Sequence, residues 1–420
     1  MRCLRVALTA FWTLAAFLSS GTSVLGIDGT PTWSLSQVSE AVADYEVSTP
    51  VLAFDHYGTA SVSWSSVSQM AQSNTAYHSQ FLELGLWTHR EVASGNDVGL
   101  RTALSFDRAE RPTIAWLNGS GAISADFNGG APQEFVTGAN TTNPVLSLSH
   151  DLAGNLRGMF GGATPGEFFS IDYSGGVFSS EQLATIGGLD AVADAALTTD
   201  YRGLRQIVAR AELTVGEAVV IASEPPGGGD WPSAQFATAD AVGGVDIAVD
   251  PTDGRMALAY TTSEGETSEL HYSKFNGISW ETTSLASSPA TSYVFEDVSL
   301  AFDRDDGLPA IAYERRGFTP SEEELLFAYL DASEEWQTGL AVDGSISMNS
   351  SDGKPRGPSL AFDDYGTSWP AISYVDDDGS LMVAFDPPVP EPGVMGLLCA
   401  GIGALVGRRR YVCRFSQFPV

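Results

Sequence analysis

Cysteine is scarce in this chain of 420 residues. The three copies are Cys3, Cys399 and Cys413, so the body of the chain between Ile27 and Asp386 contains none. The body therefore has no disulfide, no cysteine nucleophile and no thiolate metal site. The five histidines also lack the paired spacing that is typical of metal ligands.

Basic residues are few as well. The chain has 21 lysines and arginines against 52 aspartates and glutamates. Six of the basic residues and one of the acidic residues lie in the two end segments, which leaves 15 and 51 and a formal charge of −36 in the body. A surface of that sign repels nucleic acid and anionic membranes. No nucleic-acid partner is expected.

A short apolar run follows two arginines at the N-terminus. Arg2 and Arg5 precede VALTAFWTLAAFL, which has 13 residues, whereas a spanning helix needs about 20. Small and polar residues follow, as in a secretory signal. We predict a signal peptide over residues 1–26 and export through the Sec machinery. A retained membrane anchor is the alternative.

A second signal-like segment, VPEPGVMGLLCAGIGALVGRRRY, lies near the C-terminus. A proline-containing motif comes first, an apolar stretch follows from 394 to 407, and three arginines come last. The motif and the arginines are Val389, Pro390, Glu391, Pro392, Arg408, Arg409 and Arg410. This order of elements resembles the PEP-CTERM sorting signal of Gram-negative bacteria.

The resemblance implies recognition by an exosortase, a membrane-embedded cysteine protease. It implies a Pro-rich linker at 387–393, a transmembrane sorting helix with its basic cluster at 394–410, and a tail at 411–420. The arginines would stay in the cytoplasm by the positive-inside rule. The mature protein would act in the cell envelope or extracellular matrix, after transient or permanent anchoring through the helix. An ordinary C-terminal membrane anchor is the alternative.

A strand, an aspartate and a turn recur along the body, as in SLAFDRDDGLPAIAY from 299 to 313. The repeat aspartates are Asp55, Asp107, Asp151, Asp200, Asp250, Asp303 and Asp363, with a period of about 50 residues. A catalytic residue is needed at one place, so a residue that recurs in every repeat is predicted to be structural. An aspartate that leaves a strand accepts hydrogen bonds from backbone N–H groups of the following turn.

Each repeat contains short runs rich in aromatic and β-branched residues, separated by Gly, Asp, Asn and Pro. Four such runs indicate a four-stranded antiparallel meander. Seven meanders predict an all-β fold, a seven-bladed β-propeller over residues 27–386. Helical periodicity of any length is absent from the body. A six- or eight-bladed propeller and a β-solenoid are the alternatives.

The last repeat lacks its fourth strand. It ends with LMVAFD from Leu381, while PTWSLSQV from Pro31 supplies a matching run whose Trp33 corresponds to tryptophans of the other repeats. An open ring would leave unpaired strand edges, so we predict that the N-terminal strand completes the last blade. Within PAIAY, the small Ala310 and Ala312 are expected on one face and larger residues on the other.

One acidic loop is a candidate metal site. Asp376, Asp377 and Asp378 in DDDG belong to a single repeat and offer the oxygen ligands that calcium prefers. A solvated hairpin tip is the alternative interpretation. The DRDDG loop around Asp303 lacks the full calcium-loop spacing. No other cofactor is predicted.

Catalytic motifs are missing from the body. Neither a G-x-S-x-G elbow nor a phosphate-binding glycine loop is present, and the Asp-box pattern of sialidases is absent. The arginines are few and scattered along the sequence, among them Arg101, Arg157, Arg255, Arg315 and Arg316. Function is then expected in departures from the repeat, notably TPSEEE at 319–324 and the long segment at 342–357.

These observations predict a non-enzymatic binding or structural module of the envelope or exopolysaccharide matrix. Its expected partners are the exosortase and the export machinery, and an extracellular polysaccharide or an envelope protein. A glycosidase or lyase on a propeller scaffold is one alternative, marked by a pair of carboxyl groups in the channel mouth about 5–10 Å apart. A calcium-dependent adhesin is the other.

Overall fold

The computed structural model describes residues 31–386 apart from short internal segments. The segments left out are 40–44, 69–73, 83–85, 96–97, 108, 143, 151–153, 175–176, 187–188, 201, 228–230, 318–321, 344–356 and 364–368. The predicted signal peptide, linker, sorting helix and tail lie outside the described residues, and they stay predictions. No helix in the described part of the chain is long and apolar enough to cross a membrane.

The described residues form seven antiparallel sheets, which are the blades of a propeller. The first strand is β1 (Ser34–Ser39). Blade 1 follows with β2 (Tyr45–Val47), β3 (Val51–Phe54), β4 (Ala60–Ser68), β5 (Asn74–Leu82) and β6 (Leu86–Gly95). Blade 2 has β7 (Arg101–Phe106), β8 (Pro112–Leu117), β9 (Ala122–Phe127) and β10 (Gln133–Thr137). Blade 3 has β11 (Leu146–His150), β12 (Leu156–Gly161), β13 (Glu167–Ser174), β14 (Val177–Ser179) and β15 (Gln182–Thr185).

The remaining four blades have four strands each. Blade 4 has β16 (Ala191–Thr199), β17 (Arg205–Glu212), β18 (Glu217–Ser223) and β19 (Ser233–Ala239). Blade 5 has β20 (Ala241–Val249), β21 (Met256–Glu264), β22 (Thr267–Phe275) and β23 (Trp280–Pro289). Blade 6 has β24 (Val294–Phe302), β25 (Pro309–Arg316), β26 (Glu323–Leu330) and β27 (Trp336–Asp343). Blade 7 has β28 (Ser359–Phe362), β29 (Pro370–Val375) and β30 (Leu381–Phe385), with β1 as its outermost strand. The predicted seven-bladed propeller is confirmed.

Closure of the ring by the N-terminal strand is also confirmed. Strand β1 pairs antiparallel with β30, with Ser34 opposite Phe385 and Ser39 opposite Leu381. The Thr32 N–H donates to Asp386 Oδ1 at 3.0 Å, just beyond the end of this pairing. The two ends of the described chain therefore share one blade, and blade 7 exists only when both are present.

Seven hydrophobic clusters of the described residues form the core, one in each interface between neighbouring blades. The PAIAY strand shows how two of them are built. Ala310 and Ala312 face blade 7, where the larger Tyr374 packs against them. Ile311 and Tyr313 face blade 5. Burial of one such large side chain contributes roughly 1.5–3 kcal/mol, so the predicted alternation of small and large faces holds the blades together.

Tryptophans of the outermost strands connect adjacent blades. Trp336 of blade 6 packs on Tyr272 of blade 5, with ring centroids 4.9 Å apart. Trp33, in front of β1, makes an edge contact with Phe327 of blade 6 at 5.1 Å. Trp87 of blade 1 donates through Nε1 to Ser36 Oγ of β1 at 3.0 Å. The closing strand is therefore in contact with both neighbouring blades.

Removal of the closing strand is expected to destabilise the whole ring. A chain of residues 45–386 should unfold at a lower temperature than residues 31–386, with a loss of more than about 4 kcal/mol, because several buried side chains lose their partners at once. Thermal unfolding followed by circular dichroism measures the change. A peptide of residues 31–39 should restore stability, whereas the same peptide with Val38→Asp should not. Equal unfolding temperatures for the two chains would contradict the closing role of β1.

Candidate functional site

The repeat aspartates lie in the turns that follow the first strand of each blade. Asp55 Oδ1 accepts hydrogen bonds from the N–H groups of Tyr57 and Thr59, at 2.9 and 2.8 Å. The same kind of bond to the following turn is made by Asp107, Asp200, Asp250 and Asp303. These carboxylates are occupied by backbone N–H groups, which is the geometry of a structural turn. Asp151 lies outside the described residues.

Turn carboxylates also touch the next blade. The Asp250 carboxylate of blade 5 lies against Gly307 in the turn of blade 6, where a Cβ would stand 2.6 Å from Asp250 Oδ1. Asp363 of blade 7 lies in the same way against Gly58 of blade 1, at 2.6 Å from a Cβ placed there. Both glycines have positive φ angles, +67° and +78°. The sequence repeat indicated the turns, but it did not indicate these contacts between blades.

The DDDG loop is a hairpin tip. The Ser380 N–H donates to Asp376 Oδ1 at 2.9 Å and to Asp378 Oδ1 at 2.8 Å. Burial and the hydrogen bond with Asp378 raise the pKa of Asp376 to about 7. Among the described residues, no group of three or more histidine, cysteine, aspartate or glutamate side chains is arranged to hold a metal ion. Calcium at Asp376, Asp377 and Asp378 therefore stays a prediction without a preformed ligand group.

The first strands of all seven blades surround a cavity of about 170 Å³ on the propeller axis. Its apolar lining includes Val51, Leu104 and Val298. Its polar lining consists of hydroxyl, carboxyl and guanidinium groups from Thr49, Arg101, Ser147, Asp194, Asp246, Ser299 and Ser359. Charged groups thus enter the channel from blades 2, 4 and 5.

Strands β16, β20 and β24 carry irregularities at matching positions near their starts. The pairing register shifts between Val192 and Asp194, between Val242 and Val245, and between Phe295 and Val298. A bulge inserts an unpaired residue and re-aims the neighbouring side chains. The matching residues of the three strands are Ala193 and Asp194, Gly243 and Gly244, and Glu296 and Asp297.

Blade 5 has Gly243 and Gly244 at its register shift because the backbone of blade 6 lies too close to leave room for a side chain there. A Cβ on Gly244 would stand 2.8 Å from the Asp297 Cα. Gly357, in front of β28, is equally close, since a Cβ there would stand 2.8 Å from the Asp297 Cβ. The Asp297 carboxyl is therefore enclosed from both sides by backbone.

Six acidic side chains gather at this end of the channel, and we call them the carboxyl cluster: Asp194, Asp246, Glu296, Asp297, Glu314 and Glu323. Glu296 forms an ion pair with Arg316. Asp194 lies 3.8 Å from the Arg101 guanidinium. Asp246 Oδ2 accepts the Leu300 N–H of blade 6 at 2.7 Å.

A third arginine, Arg210, lies opposite Asp194 in the β16–β17 pairing. It forms two bonds to Glu217, Nε to Oε2 at 3.0 Å and Nη2 to Oε1 at 3.1 Å, and donates to the Gly243 carbonyl at 2.7 Å. Burial raises the pKa of Asp194 and of Asp297, and the positive charge of Arg210 partly offsets that increase. The cluster thus has fewer positive than negative groups.

Burial changes the protonation of the cluster. It raises the pKa of Asp246 to about 7. It also raises the pKa of Asp297 to about 7, with the nearby Asp194 and Glu296 carboxylates adding to the effect. Burial raises the pKa of Glu314 well above its ordinary value, and the neighbouring carboxylates, which outnumber the neighbouring cations, raise it further. Near neutral pH the cluster is therefore only partly ionised.

Two departures from the repeat reach this same end of the channel. Residues 319–324 cover part of the connection from β25 to β26 and the start of β26, and residues 342–357 cover the end of β27 and most of the connection to β28. Residues 318–321 and 344–356 lie outside the described residues. At the borders of these segments, Glu323 is a member of the carboxyl cluster and Gly357 lies against Asp297. The expectation that departures from the repeat mark the functional end stays a prediction.

Sequence reasoning missed most of the cluster. Asp194, Asp246 and Asp297 were assigned no role, and the arginines were interpreted as scattered. The ring nevertheless brings Arg101 and Arg316, which are far apart in the sequence, to the cluster. A usable indication was present, since an acidic residue near the start of a first strand replaces the small or apolar residue of other repeats.

Comparison with known proteins gives only distant structural likenesses. No protein-family model and no curated protein matches the sequence. A protein of unknown function from Dyadobacter fermentans DSM 18053 aligns with a TM-score of 0.47 at 9% identity, over 70% of this chain and 98% of that one. A lectin from Aleuria aurantia gives 0.44 at 14% identity, over 70% and 96%. An alpha-L-arabinofuranosidase from Fusarium graminearum gives 0.45 at 11% identity, over 70% and 94%. Likeness at this level carries no inference about the ligand of this chain.

Substitution of a turn glycine tests the contact between blades. Gly307→Ala should reduce the free energy of unfolding by about 2–4 kcal/mol, because it combines a strained backbone with a methyl group placed against Thr252 and Asp250. Gly203→Ala is the matched control, since Gly203 has φ +80° but no atom within 4 Å of a Cβ. It should cost about 1–2 kcal/mol from strain alone. Equal losses in urea unfolding would show that the turns of blades 5 and 6 do not constrain each other.

Asp297→Asn tests the protonation of the cluster. A carboxyl whose pKa is higher in the folded than in the unfolded chain stabilises the fold at low pH, and this contribution is lost as the pH rises from about 4 to about 7. The stability of the variant relative to the natural chain should therefore increase across that interval and be constant above it. Urea unfolding at a series of pH values measures the difference, with the exposed Asp305→Asn as control. A difference that does not change with pH would mean that Asp297 is ionised throughout.

Proposed function

We propose that this protein is an exported, exosortase-sorted propeller that binds an extracellular glycan of the envelope or matrix, without cleaving it, at the channel mouth. One observation carries the proposal: the first strands of all seven blades place hydroxyl, carboxyl and guanidinium groups around one cavity of about 170 Å³. Ligand sites typically combine an apolar lining with a few convergent polar groups, and this cavity has that composition.

The polar lining matches a polyhydroxyl ligand. Serine and threonine hydroxyls both donate and accept hydrogen bonds, carboxylates accept them and a guanidinium donates them. Within the described structure the buried Arg101 Nε has no hydrogen-bond partner. An unmade bond of this kind costs about 1–3 kcal/mol. A ligand oxygen at that position would offset the cost.

The end segments support the cellular half of the proposal. A signal peptide at 1–26 and a PEP-CTERM-like segment at 389–410 would direct the chain to export and exosortase sorting. The body between them lacks cysteine and carries a formal charge of −36, which suits a soluble surface outside the cell. Loss of Arg408, Arg409 and Arg410 would be expected to leave the C-terminal segment unprocessed.

Binding of the host's own exopolysaccharide tests the proposal. Purified residues 31–386 should bind the polymer in a sedimentation assay, and Arg101→Gln should weaken binding about tenfold or more, as expected when a buried charged group loses its partner. Arg255→Gln is the control, because Arg255 is an exposed residue of an Asp turn at the other end of the channel and pairs with Asp253. Equal binding by both variants would place the glycan elsewhere, and absence of binding by the natural chain would overturn the proposal.

A glycan-cleaving enzyme is the second candidate. The observation that favours it is that burial raises the pKa of two carboxyl groups, Asp246 and Asp297, to about 7, which suits a general acid near neutral pH. New reducing ends should then appear when exopolysaccharide is incubated with the protein, and Asp246→Asn or Asp297→Asn should abolish them. Binding without new reducing ends would favour the non-enzymatic function.

A further inference from the structure

We propose that the carboxyl cluster recognises a positively charged amino group on the glycan, such as the amine of an amino sugar that lacks its acetyl group. The inference rests on the proposed glycan binding and names the chemical class of the ligand. It depends on two features of the described residues: carboxyl groups outnumber their positively charged partners, and one buried carboxyl oxygen has no hydrogen-bond partner. It also depends on which kind of cation fits such a site.

Pairing of charges leaves an excess of carboxyl groups. Glu217 engages Arg210 through two bonds, Glu296 pairs with Arg316, and Asp194 lies nearest to Arg101. Among the described residues, Asp246, Asp297 and Glu314 form no ion pair with lysine, arginine or histidine. Of these three, Asp297 and Glu314 lie across from each other in the β24–β25 pairing, so a further cation beside them would be stabilised.

Glu314 is the second, independent feature. Its side chain lies on β25 opposite the Glu296–Asp297 irregularity of β24, since the register runs from Arg315 opposite Phe295 to Tyr313 opposite Val298. The residue is 2% exposed. Its Oε2 atom has no hydrogen-bond partner within the described structure. A buried carboxyl group is costly unless it is paired and hydrogen-bonded, so this atom indicates a missing donor at the cluster.

The chemistry of the site favours an ammonium group over other cations. The described residues contain no group of three or more ligands arranged for a metal ion. A primary ammonium is a compact cation with three N–H donors, so one such group could serve several carboxyl oxygens at once. Backbone at Gly244 and Gly357 encloses Asp297 closely, which favours a compact cation over a planar guanidinium. The strongly negative body also raises the local concentration of cationic ligands.

Paired oligosaccharides test the inference. Oligomers of glucosamine and of N-acetylglucosamine with equal lengths are titrated calorimetrically into residues 31–386 near neutral pH. The glucosamine oligomer should bind at least about tenfold more tightly, because only it carries the ammonium group. Glu314→Gln and Asp297→Asn should each weaken its binding about tenfold or more. Glu281→Gln, an exposed substitution on the outermost strand of blade 5, should leave the affinity unchanged.

The controls separate recognition at the cluster from other effects. Glutamine has almost the same shape as glutamate, and thermal unfolding should show that Glu314→Gln folds with undiminished stability. Asp297→Asn provides a second variant if Glu314→Gln does not fold. Equal weakening by Glu281→Gln would show a general effect of surface charge and would overturn the inference.

Failure of the inference can be distinguished from failure of the proposed function. Binding of the host's exopolysaccharide together with equal binding of both oligomers, or binding of neither, overturns amine recognition and leaves glycan binding in place. Absence of binding to the exopolysaccharide and to both oligomers overturns both. Selective binding of the glucosamine oligomer that is lost in Glu314→Gln supports both.

Discussion

Pairing of β1 with β30 is the interaction on which the rest of this structure depends. Each blade buries both of its faces against neighbours, so no blade is stable without the next one. Loss of β1 would open the edge of β30 and would also remove contacts with blades 6 and 1, through Trp33 and Ser36. The closed ring contains no such weak point, because every interface holds a hydrophobic cluster.

The same closed ring creates the polar site. Its seven first strands converge on one axis, and blade 5 packs closely on blade 6 at Gly243 and Gly244. Carboxyl groups that enter this crowded region lose water, which raises the pKa of Asp246 and Asp297 to about 7. The free energy of folding therefore holds these buried carboxyl groups close together, although their burial is unfavourable. Such a compromise is common at functional sites.

The two ends of the channel differ in whether their carboxyl groups recur from blade to blade. At one end the turn aspartates, such as Asp55, accept N–H groups of their own turns and recur from blade to blade. At the other end the acidic residues come from three blades, and Glu314 Oε2 has no partner among the described residues. The recurrent turn carboxylates stabilise the fold, whereas the acidic residues that occur once are the ones for which we propose a ligand.

Fold class, repeat length, turn aspartates and closure of the ring were predictable, because alternation along a strand and the chemistry of a turn depend on residues within a few positions of each other. The end segments remain predictions from sequence patterns. The carboxyl cluster was not predictable in this way, since Asp194, Asp246 and Asp297 are about 50 residues apart and meet only when seven blades close around an axis. Whether a charged side chain faces the axis depends on a local shift in strand register, and whether it keeps its charge depends on burial by neighbouring blades. Both are properties of the closed ring, and no single repeat contains them.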